Sequence, residues 1–388
     1  THQSHKALID AVKTARANKN APVAIMIDTK GPEIRVKQFA DGKIFLEDNS
    51  TFTLTTKDVV GDQEKVSVTY KNLPKILKKD AKILLNDGNL EFKVEKITHC
   101  DVVCKVVHGG ELSNNKSINI PGIKTDMPYL SEQDKSDLIF AKEMKADYIA
   151  ISFVNCADDV LQVKNFLKEI NFKNVKIISK IESEEGVSNF DKILKVSDGI
   201  MVARGDLGVE IDFVRIPILQ KEFINKCNFY GKIVITATQM LESMITHSRP
   251  TRAEISDVAN AVFDGTTAIM LSGETASGEF PVETVETMKR IALDVTKSGA
   301  TAENVSRFKP KVPIIACTPS VEVYNKMSLL YGVFPMLDKN HKTVKELNKS
   351  SLDKALESKL VKKNDKVVLV SGLVAGKSGS NLMVVEKL

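Results

Sequence analysis

Lys176-Ile-Ile-Ser-Lys-Ile-Glu182 is followed by a helical pattern over Glu184–Val196 and then by Gly199-Ile-Met-Val-Ala-Arg204. Two short Ile/Val-rich runs around an amphipathic segment make a β–α–β unit. Runs that are apolar without alternation belong to parallel strands buried on both faces. The rhythm extends both ways. Val23–Asp28, Tyr148–Val154, Lys232–Met240 and Ala268–Ser272 read as further strands of this kind. Ser131–Lys145, Ala157–Ile170, Arg215–Tyr230, Arg252–Phe263 and Pro281–Val295 read as the helices between them. Ser131 followed by Asp134 fits a capping box, and Pro281 fits a first helical turn. Such repetition implies an α/β fold with a parallel sheet and crossover helices. Six strands of a barrel are visible, where closure of this type needs eight.

Residues 36–124 break the rhythm with period-two alternation. Phe52 and Leu54, then Val66, Val68 and Tyr70, then Leu90, Phe92 and Val94 fall on single faces, with Asp41-Gly42 and Asp87-Gly88 as turn signals. An all-β module inserted after the first visible strand is expected. From Thr296 onward, Val312–Cys317, Val333–Leu337, Lys366–Val370 and Leu382–Val385 read as strands of a small open α/β domain. The expected division is therefore 1–35 with 125–295, then 36–124, then 296–388.

A chain of 388 residues exceeds the usual ceiling for one hydrophobic core, which agrees with several domains. With 43% apolar and 27% charged residues it has the composition of a soluble, ordered protein. No run approaches the roughly 20 apolar residues of a membrane span. The net charge of +5 is mild and spread along the chain, and aromatics are 6% with no Trp, which argues against a nucleic-acid partner. Five cysteines at irregular spacing argue for a reducing compartment, and a cytoplasmic location is expected.

The carboxyl ends of barrel strands converge on one mouth, where active sites lie. Lys180 and Glu182 alternate at one such end and so face the same side. Arg204-Gly205-Asp206 closes the next strand, Thr236 and Thr238 the one after, and Ser272-Gly273-Glu274 the last. Any one of these could be an ordinary polar loop residue; four consecutive ends of this kind point to a site. Glu182 and Asp206 are hard oxygen ligands suited to Mg²⁺, with Lys180 as a second positive charge. Such a site suits a transferring phosphoryl group or an enolate. A Schiff-base lysine is the competing chemistry, and a metal-dependent lyase or aldolase on pyruvate-like acids a competing function. Cys100 and Cys104 read as core or surface thiols, and no histidine pair has metal-ligand spacing. The small-residue run Thr296-Lys297-Ser298-Gly299-Ala300-Thr301 suits a phosphate nest, though a plain turn is the simpler reading.

Five segments carry a resemblance to pyruvate kinase: Asp28-Thr-Lys-Gly-Pro-Glu-Ile-Arg35, Ile177-Ile-Ser-Lys-Ile-Glu-Ser-Glu-Glu-Gly-Val187, Ala203-Arg-Gly-Asp-Leu-Gly208, Ala237-Thr-Gln-Met-Leu-Glu-Ser-Met244 and Met270-Leu-Ser-Gly-Glu-Thr275. Their order and spacing agree too, over nearly the whole chain. The resemblance implies a TIM-type (β/α)8 barrel, an inserted lid and a C-terminal α/β domain. It implies transfer of the phosphoryl group of phosphoenolpyruvate to ADP, giving pyruvate and ATP, as the final step of glycolysis. On this resemblance Lys180 is the catalytic lysine, Glu182 and Asp206 hold Mg²⁺ or Mn²⁺, and the Gly205 and Asp206 backbone grips the substrate carboxylate. Thr238 and Ser272 match the proton-delivery region. Asp28 and Thr29 match ligands of K⁺, and Glu33 the residue type of potassium-dependent members. Arg35 and Lys116 match nucleotide-phosphate contacts. A homotetramer is implied, as is a sugar-phosphate effector at Thr296, Lys297, Ser298, Gly299 and Thr301.

Three departures accompany the resemblance. Family chains begin with two further βα units, and they carry several tens of helical residues between the counterparts of Val295 and Thr296. The expectation is that these 388 residues are part of a longer chain. Bisphosphate-responsive members also place an arginine near Ser358, and none occurs between Glu357 and Val361. That predicts a weak or absent response to fructose-1,6-bisphosphate, with a monophosphate as the alternative activator.

Overall fold

Helix α1 (His2–Lys19), started by a capping box between Thr1 and Ser4, leads into strand β1 (Met26–Asp28). The computed structural model describes residues 1–297, 313–328, 332–341, 343–371 and 382–388. After β1 the chain builds a β module from β2 (Ile34–Arg35), β3 (Lys43–Leu46), β4 (Thr51–Thr55) and β5 (Lys65–Ser67). The one-turn helix α2 (Leu73–Ile76) follows, then β6 (Lys82–Leu85), β7 (Leu90–Ile97), β8 (Asp101–His108), β9 (Gly110–Ser113) and β10 (Ser117–Asn119). Helix α3 (Glu132–Glu143) brings it back to β11 (Tyr148–Ile151), and the expected Ser131/Asp134 capping box is present. Next come α4 (Ala157–Glu169), β12 (Lys176–Ile181), α5 (Glu184–Ser188), α6 (Phe190–Val196) and β13 (Gly199–Ala203). The series closes with α7 (Arg204–Glu210), α8 (Ile216–Phe229), β14 (Ile233–Ala237), α9 (Arg252–Phe263), β15 (Ala268–Met270), α10 (Gly273–Ala276) and α11 (Pro281–Lys297).

Six strands pair in parallel in the order β1-β11-β12-β13-β14-β15. Sequential neighbours pair directly, as in a barrel wall. The two faces of this curved sheet have separate cores. Outward residues such as Ile149, Ile177, Ile200 and Val234 pack with helix residues including Leu138, Val163, Phe190 and Phe223. Inward residues Tyr148, Ala150, Ile178, Met201, Ile235 and Ala237 form a second, smaller cluster. The expected strand ends were too long: Lys232–Met240 shrinks to Ile233–Ala237, because the chain turns left-handed at Thr238 and Gln239 (φ 68° and 55°). The helix expected over Glu184–Val196 is two, since the chain leaves helical geometry at Asn189.

In the β module seven strands form one sheet, β2-β10-β6-β7-β8-β4-β5, and β3 pairs with β9. Phe52, Leu54, Val66, Val68, Tyr70, Leu90, Phe92 and Val94 are all buried in its core, as alternation predicts. Cys104 joins them, its thiol pushed up to about 12 by burial, and Cys100 is partly exposed, so neither reads as a ligand. Further on, Ile314–Thr318 runs parallel to Val333–Leu337, and Lys366–Ser371 antiparallel to Leu382–Lys387. The loop expected from Thr296 is absent at its first two residues. Helix α11 includes Thr296 and Lys297, because no helix breaker precedes Gly299. Ser298, Gly299 and Thr301 lie outside the described residues. Among the described residues no helix is long and apolar enough to cross a membrane.

Candidate active site

Strand parity places the site. On β12, Ile178 points into the barrel, so Lys180 and then Glu182 follow on the same side. On β11, Tyr148 and Ala150 point inward, so Ser152 follows them. On β1, Met26 packs with the inner cluster, so Asp28 follows it. The register aligns Asp28 with Ala150. These side chains meet. Lys180 Nζ donates to Asp28 Oδ2 at 3.1 Å and to Ser152 Oγ at 2.9 Å, and lies 3.0 Å from Glu182 Oε1.

Glu182 is fully buried. Its Oε2 accepts from the Phe153 N–H at 2.6 Å, while Oε1 meets Lys180 outside hydrogen-bonding geometry and has no other partner. Phe153 holds a positive φ of 52°, strained for an aromatic residue, and that conformation aims its N–H at the carboxylate. Burial pushes the Glu182 carboxyl up to about 8; Lys180 opposes this and the Asp206 charge adds to it. Burial also disfavours the Lys180 charge, but Glu182 and Asp28 outweigh it and hold the ammonium above its ordinary range. The ammonium thus faces two acids, Asp28 and Glu182, and Glu182 in turn feels the charge of Asp206. A buried carboxylate oxygen with no hydrogen bond, beside the charge of Asp206, fits a divalent cation held by Glu182 and Asp206, both hard oxygen donors.

Asp206 sits in the first turn of α7. The neighbouring Gly205 N–H donates to Thr238 Oγ1 at 2.9 Å, and a Cβ on Gly205 would lie 3.2 Å from that oxygen. Simple alternation from β14 would send Thr238 outward with Thr236, which bonds Thr266 Oγ1 at 3.0 Å. The left-handed turn reverses it. Arg204, almost buried, clamps that turn, donating to Thr238 O at 2.8 Å and Gln239 O at 3.1 Å and pairing with Asp257 at 2.7 Å. Ser272 Oγ is buried without a partner, and the Ser272 N–H donates to buried Glu274 at 2.7 Å. Thr29 is buried, its carbonyl accepting from Ser152 Oγ at 2.7 Å.

Arg35 and Lys116 lie on the stalk of the β module, where Arg35 faces Ser117 across the β2/β10 pair and Lys116 precedes it. Arg35 is held by Glu33 at 2.7 Å. Between stalk and barrel opens a cleft of about 440 Å³, lined by residues including Ile34, Ile118, Phe153 and Glu210. Asn119 bonds Glu210 at 2.8 Å and Lys124 pairs with Glu185 at 2.7 Å across it.

Ser152, Asp257 and Phe153 were not singled out as site residues in the sequence, and Arg204 was marked there only as part of a polar strand end. Ser152 was within reach, since it continues the inward alternation of Tyr148 and Ala150. The others depend on a turn and a backbone strain that no residue pattern announces.

Charge gathered over one apex suits phosphoryl transfer or enolate chemistry, and comparison with known proteins decides between them. Residues 1–285 match the family model "Pyruvate kinase, barrel domain", and residues 282–386 match "Pyruvate kinase, alpha/beta domain". The chain is 42% identical to the pyruvate kinase of Clostridium acetobutylicum over 428 residues, covering 99% of this chain and 90% of the relative. It is 40% identical to that of Clostridium perfringens, covering 100% and 92%, and 42% identical to that of Geobacillus stearothermophilus, covering 99% and 74%. The chain belongs to the pyruvate kinase family, and it is a phosphotransferase with that family's function. The 428-residue alignment against 388 residues here also means that the relative carries residues with no counterpart in this chain.

Proposed function

We propose that this apex transfers the phosphoryl group of phosphoenolpyruvate to ADP, with Lys180 as the catalytic lysine. Its ammonium neutralises the phosphoryl oxygens in transit and the enolate oxygen left behind. The placement of Lys180 Nζ among Asp28, Ser152 and Glu182, with one buried Glu182 oxygen paired to Lys180 but accepting no hydrogen bond, is the observation that carries this reading. Glu182 and Asp206 would hold Mg²⁺ or Mn²⁺, which supplies Lewis-acid polarisation of substrate oxygens. The Gly205 and Asp206 backbone grips the substrate carboxylate, and the Thr238 hydroxyl on Gly205 N–H stands where a carboxylate oxygen would bind. Thr238 and Ser272 serve the proton delivery that turns enolate into pyruvate.

Asp28 and Thr29 form the K⁺ subsite, and Arg35 and Lys116 bind nucleotide phosphates from the module stalk. The module, residues 36–124, acts as a lid whose closure excludes water. Residues 296–388 form the effector and assembly domain of a cytoplasmic homotetramer working at the end of glycolysis, with a sugar phosphate as effector. Pyruvate formation from phosphoenolpyruvate, followed with and without ADP, Mg²⁺ and K⁺, tests the reading. Release of pyruvate independent of ADP would overturn it.

A further inference from the structure

The Ser152 hydroxyl occupies a junction that the functional reading leaves without a role. It is 3% exposed and has one proton. The shortest acceptor is the Thr29 carbonyl at 2.7 Å, with Asp28 Oδ1 3.2 Å away. A lone pair then receives the Lys180 ammonium at 2.9 Å. The Ser152 N–H, in turn, donates to Thr29 Oγ1 at 3.3 Å. The N–H and the hydroxyl of this residue are therefore fastened to the turn after β1, the hydroxyl also receives the lysine on β12, and the carbonyl accepts from the Tyr129 hydroxyl at 2.9 Å. Gly31 closes the arrangement from below: its φ is +68°, and a Cβ there would lie 2.8 Å from Ser152 O. The strand between, β11, pairs with β1 on one side and β12 on the other, so Ser152 bridges two strands that are not neighbours in the sheet.

Lys180 needs such a bridge. A lysine side chain has four rotatable bonds, and its two acid partners lie on different elements. Attraction to Asp28 and Glu182 alone fixes a charge between them but not a direction. A neutral acceptor of fixed position adds a second hydrogen bond to the one on Asp28 and, with the Glu182 charge 3.0 Å away, defines one place for Nζ.

We propose that Ser152 is a positioning residue for Lys180, orienting the ammonium and tying it to the Asp28–Thr29 turn. This rests on the reading of Lys180 as the catalytic lysine. Ser152 itself touches no reacting atom; it removes the misdirected poses of the group that does. Loss of the hydroxyl should lower turnover more than substrate affinity, because pose matters most in the transition state.

The test uses the full chain with Ser152→Ala, Ser152→Cys and Lys180→Met, assayed for pyruvate formation and for thermal unfolding. Labelling of Lys180 by trinitrobenzenesulfonate, followed by peptide mass spectrometry, reports the freedom of the amine directly. In Ser152→Ala, kcat falls about tenfold or more with KM for phosphoenolpyruvate within about threefold, and Lys180 labels at least about threefold faster. Ser152→Cys, a weaker hydrogen-bonding group of similar shape, falls between parent and Ser152→Ala. Unchanged kcat and labelling in Ser152→Ala overturn the proposal. So does an equal loss in both variants that tracks an equal fall in unfolding midpoint, which marks a packing role. Substantial turnover by Lys180→Met would instead remove the underlying reading of the lysine, whatever Ser152 does.

Discussion

Glu182 holds one oxygen against the N–H of strained Phe153 and the other 3.0 Å from the Lys180 ammonium without a hydrogen bond, with no exposure to water. Its carboxyl, pushed up to about 8, keeps a proton in the cation-free fold that the unfolded chain releases near pH 4 to 5. The fold therefore binds more protons than the unfolded chain between about pH 5 and 8, so stability falls as pH rises through that window. Thermal unfolding of cation-free protein should show this fall, and Mg²⁺ should flatten it by taking the place of the proton. In Glu182→Gln the slope should shrink, leaving what other buried carboxyls such as Glu210 contribute. Lys180→Met leaves the acids in place, so Mn²⁺ binding should persist while kcat drops by about a thousandfold. A drop smaller than tenfold would mean that the charge on Lys180 is not what the transition state uses.

The turn after β14 is where an element, rather than a residue, carries function. Two consecutive non-glycine residues with positive φ are costly, and the Arg204 guanidinium holds both carbonyls while Asp257 from α9 holds the guanidinium. Arg204→Lys cannot reach both carbonyls at once. It should cost about 2 kcal/mol of stability, read by urea unfolding, and should lower kcat because Thr238 loses its aim. The turn after β1 answers to a second device. Gly31→Ala places a methyl against the Ser152 carbonyl at a φ that alanine resists, and should cost about 2 kcal/mol or more. A neutral outcome at either position would show that the turn is held by other contacts.

At the scale of the whole molecule, the outer barrel cluster and the module cluster share no residue. They are joined by two stalk segments and by polar links such as Asn119–Glu210 and Lys124–Glu185. The exposed Lys124–Glu185 pair contributes about 1 kcal/mol at most, and the part-buried Asn119–Glu210 hydrogen bond about the same. Barrel and module should therefore melt as separate cooperative units, giving more than one calorimetric transition. One transition with matching calorimetric and van't Hoff enthalpies would show that the stalks couple the two cores. Weak coupling of two firm bodies is also what a closing lid requires.

The parallel strands, the helices between them and the β module were legible because burial writes periodicity into the chain: continuous apolar runs for strands covered on both faces, alternation for a sheet covered on one. Lys180 and Glu182 were legible for the same reason, as polar residues two apart continuing an inward-facing strand. Their family resemblance added roles to positions that parity had already marked. Three things were beyond the chain's local pattern. Thr238 faces Gly205 only because a left-handed turn breaks the alternation that would point it outward. The pose of Lys180 depends on Asp28 and Ser152, which lie 152 and 28 residues away in sequence. And the raised carboxyl of Glu182 follows from desolvation by everything packed around it. Periodicity is a local property that any strand displays by itself. Direction reversal, convergence and dielectric environment are set by neighbours distant in sequence, so they exist only once the strands have closed around a common interior.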